Sequence, residues 1–210
     1  MSSADLSGPA AKRQTVVDAT LRIIAEDGVE AATTRRIAAA AGVGQSGLFY
    51  SFGSRDGLLA AVVEAGIDAE IASFDGLLAE LDVTSPSPGV TLDELFRQGL
   101  DVYLAALAAD PAKERALISL ALYAQRTPGI EHLATRLYQG YYDLVTRVLD
   151  AASASAQFTW TKPSAELAPL VVAFTDGLTM AYLAHPDGDF AGLIDGAVAL
   201  LMGYVKPCAD

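Results

Sequence analysis

Asparagine is absent from the 210 residues, cysteine occurs once, histidine twice, and aromatic residues reach only 8%. The lone Cys208 excludes an intrachain disulfide and a cysteine-rich metal site, and it fits a reducing compartment, so a cytoplasmic location is expected. With only His132 and His185, and with neither HExxH, P-loop nor GxSxG patterns, no metal, no cofactor and no enzymatic activity are expected. The longest uncharged run, Ile37 to Ser54, carries Gly42, Gly44, Gln45, Ser46 and Gly47, a density that a bilayer-spanning helix would not tolerate. The N-terminal segment also lacks an apolar core, so neither a signal peptide nor a membrane partner is expected.

What is abundant is alanine and leucine, 39 and 27 residues, within a chain that is 52% hydrophobic. Both residues lose little on entering a helix, whereas β-branched and aromatic residues, which suit strands, are sparse; the expected fold class is all-α. The net charge of −12 argues against nucleic-acid binding over the whole surface, but it is unevenly spread. Residues 1–60 hold six positive and six negative charges, and residues 61–210 hold eight and twenty. Lys12, Arg13, Arg35, Arg36 and Arg55 cluster in the neutral part, so one basic face can exist on a protein whose remainder repels phosphate.

Helical periodicity divides the chain into about nine helices. Residues 1–9 read as a disordered arm, and a first helix spans 10–27 with Gly28 as its stop. Thr33 and Thr34 open a second helix that Gly42 ends, and a third runs from about Gln45 to Ser51. A long helix follows from Arg55 to Leu81, then a Ser/Pro linker at Thr84 to Gly89. Five more helices are expected at about 92–109, 111–126, 129–152, 163–184 and 189–205, with a polar loop at Ser153 to Thr161 carrying the only tryptophan, Trp160.

The second and third helices, separated by Gly42-Val43-Gly44, have the pattern of a helix-turn-helix, whose second helix enters the major groove of DNA. Ile37, Ala38, Ala41, Val43, Leu48 and Phe52 are apolar where the helices must pack, which leaves Gln45, Ser46, Gly47, Phe49, Tyr50 and Ser51 facing outward. Glutamine can bond adenine through two atoms, serine reaches either base type, and an aromatic ring can touch a thymine methyl or the sugar-phosphate wall.

The segment TTRRIAAAAGVGQSGLFYSFGSRDGLL, Thr33 to Leu59, together with VVDATLRIIAEDGVEAAT before it, resembles the DNA-binding region of the TetR family of bacterial transcriptional regulators. The resemblance implies a helix-turn-helix DNA-binding domain at 10–56, an effector-binding and dimerisation domain at 57–210, and a homodimer held by the last two helices. Carried onto this chain, Thr34 and Arg35 approach phosphate, Gln45, Ser46 and Gly47 read bases, Phe49 and Tyr50 occupy the paired aromatic positions, and Arg55 stands where the family has a phosphate-binding lysine. Gly44, Phe49 and Ser51 depart from the usual serine or threonine, tyrosine and histidine, each shortening or removing a backbone contact, and a basic arm at Lys12 and Arg13 can offset that loss.

In the C-terminal part, Phe74, Phe96, Tyr103, Tyr123, Tyr138, Tyr141 and Phe174, with Arg126 as a charged anchor, are the candidate lining of an effector site. The expected function is a repressor released from a palindromic operator by a small apolar or aromatic ligand; its partners are operator DNA, that ligand and a second copy of the chain. The alternative is a helical small-molecule binding protein whose DNA binding has weakened, for which the three departures speak.

Overall fold

The computed structural model describes residues 8–81, 91–155 and 158–207; within α4 the side chains of Glu70 and residues 73–81 are also outside the description. Residues 1–7 of the arm expected at 1–9, the linker at Thr84 to Gly89, the side chain of Phe74 and Cys208 therefore lie outside the described residues. Nine α-helices are present among the described residues: α1 Pro9–Asp27, α2 Thr34–Ala40, α3 Gln45–Phe52, α4 Arg55–Leu81, α5 Leu92–Ala109, α6 Pro111–Gln125, α7 His132–Ser155, α8 Ser164–Ala184 and α9 Ala191–Met202. A 3-10 turn, Val29–Ala31, links α1 to α2.

The helix ends follow local chemistry. Pro9 begins α1, where its missing N–H costs nothing, so the helix takes in a residue assigned by sequence to the arm. Gly28 ends α1 at φ 85°, a backbone that side-chain-bearing residues rarely adopt. Thr33 Oγ1 accepts from the Arg36 amide at 3.3 Å, capping α2. At the start of α5 the Thr91 amide donates to Glu94 Oε2 at 2.7 Å, and these bonds hold the Glu94 carboxyl below its ordinary range. Gly129, at φ 96°, belongs to the turn before α7, so that helix starts at His132 and not at residue 129.

The chain forms two compact units, one of residues 1–68 and 112–137, the other of 69–111 and 138–210. In the first, Val16, Val17, Ile23 and Ile24 of α1 are buried, as are Ile37 of α2, Leu48 of α3, Leu58, Leu59, Val62 and Val63 of α4, and Leu117 and Leu120 of α6. Helix α6 comes close to α4 because position 66 is glycine: a Cβ there would lie 2.7 Å from Leu117 Cδ2. Arg136 adds a two-pronged pair with Glu64, at 2.8 and 2.7 Å, on the surface of this unit.

In the second unit, Leu100, Leu178, Ile194, Ala197 and Val198 form one core cluster and Leu149, Leu167 and Leu201 another. Phe96 packs against both and stacks on Trp160 at 5.7 Å. The segment expected as a polar loop is partly a strand: β1, Phe158–Trp160, pairs antiparallel with β2, Val205–Pro207, placing Phe158 opposite Pro207 and Trp160 opposite Val205. Two aromatics and a threonine suit a pleated backbone, and burial of Phe158 with a Trp160 Nε1 bond to the Leu149 carbonyl, 2.9 Å, fixes them there. By length and composition α8 is apolar enough to cross a membrane, but Leu167, Val172 and Leu178 are buried within the unit.

Candidate functional site

Helix α3 is short, and its two inward side chains, Leu48 and Phe52, are what seat it. The turn before it runs through Gly42 at φ 66°, and the Val43 amide returns to the Ala38 carbonyl at 3.0 Å. The glycines at 42, 44 and 47 have the GxGxxG spacing of a dinucleotide-binding turn, yet they join two helices and follow no strand, so the backbone cradle of that turn is missing. Everything else on α3 faces solvent: Gln45, Ser46, Gly47 and Ser51 are exposed, Tyr50 is 94% exposed and Phe49 47%. Two aromatic rings, adjacent in sequence, are thus presented to solvent from one short helix.

The basic residues differ sharply in what they do. Arg35 and Lys12 are exposed, with no hydrogen bond or ion pair from their side chains among the described residues. Thr34 is half-buried at the start of α2. Arg36 pairs with Asp27. Arg13 donates from Nη1 to the Ser51 carbonyl at 2.8 Å and lies over the Phe52 ring at 4.4 Å, so it ties α1 to the end of α3 while its position keeps it near the outward face.

Arg55, expected on phosphate, has its guanidinium held by acceptors within the protein. Its half-buried guanidinium donates from Nη2 to the Val29 carbonyl at 2.6 Å, from Nε to the Ala32 carbonyl at 3.0 Å and from Nη1 to Tyr123 Oη at 3.3 Å. Three of the five donors of its fork are engaged inside the protein. Sequence reasoning missed this because a basic residue at a helix start looks the same whether its head turns in or out.

The candidate effector residues also separate. Tyr123 on α6 and Arg126 just after it belong to the first unit: Tyr123 meets Arg55, and Arg126 pairs with Glu30 at 3.3 Å. Phe96, Tyr103 and Phe174 are brought together in the second unit, half-buried against the Leu100 and Leu178 cluster. Tyr103 Oη shares a 2.6 Å hydrogen bond with Thr179 Oγ1, which is buried. Tyr138 and Tyr141 are in edge-to-face contact at 5.9 Å, with Tyr142 6.1 Å from Tyr138.

Asp176 completes this group and was missed from sequence. Tyr138 Oη donates to Asp176 Oδ2 at 3.0 Å. Burial pushes the Asp176 carboxyl above its ordinary range, against the opposing effect of the Tyr138 bond. Burial, then the adjacent carboxylate, push the Tyr138 phenol up to about 12. The available signal was an acid in an otherwise apolar stretch, Leu167 to Ala184, without a basic residue.

Two family matches cover most of the chain. Residues 16–62 match bacterial regulatory proteins of the tetR family, and residues 90–205 match the tetracyclin repressor-like C-terminal domain. The chain is 24% identical over 176 residues to the nicotine-responsive transcriptional repressor HdnoR of Paenarthrobacter nicotinovorans, covering 83% of this chain and 85% of the relative. Among solved structures, GusR of Salmonella enterica aligns with a TM-score of 0.73 at 18% identity, over 95% of this chain and 98% of that one. A TetR-family regulator from a Rhodococcus species aligns with a TM-score of 0.73 at 17% identity, over 93% and 98%.

Proposed function

The chain belongs to the TetR family of bacterial regulatory proteins, DNA-binding transcriptional regulators, and from that premise we propose that it is a homodimeric repressor released from a palindromic operator by a small organic effector. The observation that carries the reading is α3 itself, a short helix anchored by Leu48 and Phe52 that offers Gln45, Ser46, Gly47, Phe49, Tyr50 and Ser51 to solvent. Gln45 and Ser46 read base edges; Gly47 lets the helix lie close to the groove wall; Phe49 and Tyr50 press on sugar and thymine methyl groups. Arg35, Thr34, Lys12 and Arg13 take phosphates. Arg55 takes none: it positions the 3-10 turn that leads into α2.

Residues 10–56 carry the DNA contacts in this scheme, and 57–210 carry effector binding and dimerisation. The outward faces of α8 and α9 support the dimer: Leu170, Ala173, Gly177 and Met180 on one and Leu193, Gly196 and Ala199 on the other are exposed and apolar. A Cβ at Gly177, Gly192 or Gly196 would meet nothing, so these positions leave room for a second backbone. A two-fold dimer would set two α3 helices in successive major grooves, about 34 Å apart. The nicotine-responsive relative supports a small-molecule effector, and an effector that binds one dimer geometry better than another shifts the population away from the DNA-bound form.

Selection of the purified protein against a random duplex library tests the reading, followed by affinity for the enriched duplex across a salt series. A palindrome with two equivalent half-sites is expected. Absence of any enriched sequence would sink the operator-binding proposal.

A further inference from the structure

The Asp176 carboxylate is half-buried on α8, a helix with no lysine, arginine or histidine, and among the described residues it has no ion pair. Among the described residues its hydrogen bond comes from Tyr138, a neutral phenol. Withdrawing even part of a carboxylate from water favours an opposite charge beside it, because one neutral donor does not replace the water lost. The partner that electrostatics calls for is a cation, and the described residues do not supply it.

The rings next to its hydrogen-bond partner Tyr138 suit an organic cation. Tyr138, Tyr141 and Tyr142 fall at i, i+3 and i+4 on α7, and therefore on one face of that helix. Tyr138 meets the other two rings edge to face, with interplanar angles of 69° and 60°. Rings tilted in this way present electron-rich faces in different directions, which is how aromatic side chains hold an ammonium group. The phenol oxygens add partial negative charge, and Tyr142 lies close enough to oppose ionisation of Tyr138. One turn further along α8, Thr179 shares a hydrogen bond with Tyr103.

We propose that Asp176, Tyr138 and Tyr142 form a seat for the ammonium group of a monocationic organic effector, with the carboxylate supplying charge and the tyrosine rings enclosing the alkyl or aryl substituents. The inference rests on the reading of this chain as an effector-responsive regulator and names the class of effector. An inorganic cation is a poorer match, since a single carboxylate and phenols do not replace its hydration shell.

The test is calorimetric titration of the full-length protein with phenyltrimethylammonium and with tert-butylbenzene, its uncharged carbon isostere. The cation is expected to bind at least ten-fold more tightly than the isostere. Asp176→Asn keeps the acceptor for Tyr138 and removes the charge; it should weaken the cation at least ten-fold and leave the isostere unchanged. Tyr142→Leu, which serves if Asp176→Asn does not fold, should weaken the cation about five-fold. Equal binding of the two probes, binding of neither, or insensitivity of the cation to these substitutions would overturn the seat. Operator selection by the wild-type chain runs in parallel: an operator with no cation preference rejects the seat alone, whereas no operator rejects the regulator reading beneath it.

Discussion

Arg55 Nη2 donates to the Val29 carbonyl oxygen at 2.6 Å, so the first residue of α4 holds the turn that delivers the chain into α2. The same guanidinium reaches the Ala32 carbonyl and Tyr123 of α6. A planar fork with five donors can serve three acceptors at once, which a lysine ammonium on a flexible stem cannot do with the same geometry.

Arg55→Ala is therefore expected to lower the melting temperature, with a loss of about 2 kcal/mol from unsatisfied carbonyls. Operator affinity should fall without a change in its dependence on salt. Binding isotherms at several salt concentrations decide the matter: a slope reduced by about one counterion would put Arg55 on a phosphate after all.

Arg35→Ala should do the reverse, leaving stability within about 0.5 kcal/mol and reducing the salt slope by about one. Gln45→Ala should change which base is preferred at one position of each half-site while random duplexes bind as before. Competition between the selected operator and single-base variants reads the difference, and equal loss on all duplexes would remove Gln45 from the base-reading set.

Two glycines respond oppositely to the same substitution. A Cβ at Gly57 would stand 2.1 Å from the Phe52 carbonyl oxygen, so Gly57→Ala forces apart the junction of α3 and α4 and should cost about 2 kcal/mol. At Gly47 a Cβ meets nothing, and Gly47→Ala should stabilise α3 by about 0.5–1 kcal/mol. If Gly47 lies against DNA as proposed, the stabilised variant binds operator less well. Thermal melts beside operator titrations separate the two quantities.

Asp176 has a folded-state pKa raised by burial, so folding disfavours its ionised form. The penalty is present at neutral pH and absent once the pH falls below the unfolded carboxyl value of about 3.9. Asp176→Asn, which carries no charge and still accepts from Tyr138, should melt higher than wild type at pH 7, and the gain should shrink as the pH drops toward 4. Unfolding curves across that range check the sign; a variant less stable at pH 7 would show that the charge is already compensated.

Leu193 is 47% exposed on α9, among the apolar residues proposed to meet a second copy. Leu193→Glu places a charge there and should convert the dimer to monomer in sedimentation equilibrium, with operator affinity falling by at least ten-fold as the half-sites lose their linkage. A dimer that survives this substitution would move the interface elsewhere.

Alanine and leucine content, helix-stopping glycines and the spacing of Ile37, Leu48 and Phe52 determined the helices and the helix-turn-helix, because these are local properties of propensity, capping and periodicity. The solvent-exposed face of α3 was equally legible, as the complement of its two packing residues. The strand at Phe158–Trp160 was not, because its partner lies more than forty residues away at Val205–Pro207 and pairing, not propensity, makes it a strand.

The direction of the Arg55 side chain, the placing of Tyr123 and Arg126 on the first unit, and the meeting of Asp176 with Tyr138 were decided by tertiary structure alone. Sequence sets which side chains are charged or aromatic, and short-range periodicity sets which helix face they share. Whether a charge turns toward a distant carbonyl, an opposite charge or nothing at all depends on packing between segments far apart in the chain, and at Asp176 that packing left a carboxylate without a counter-ion from the described protein.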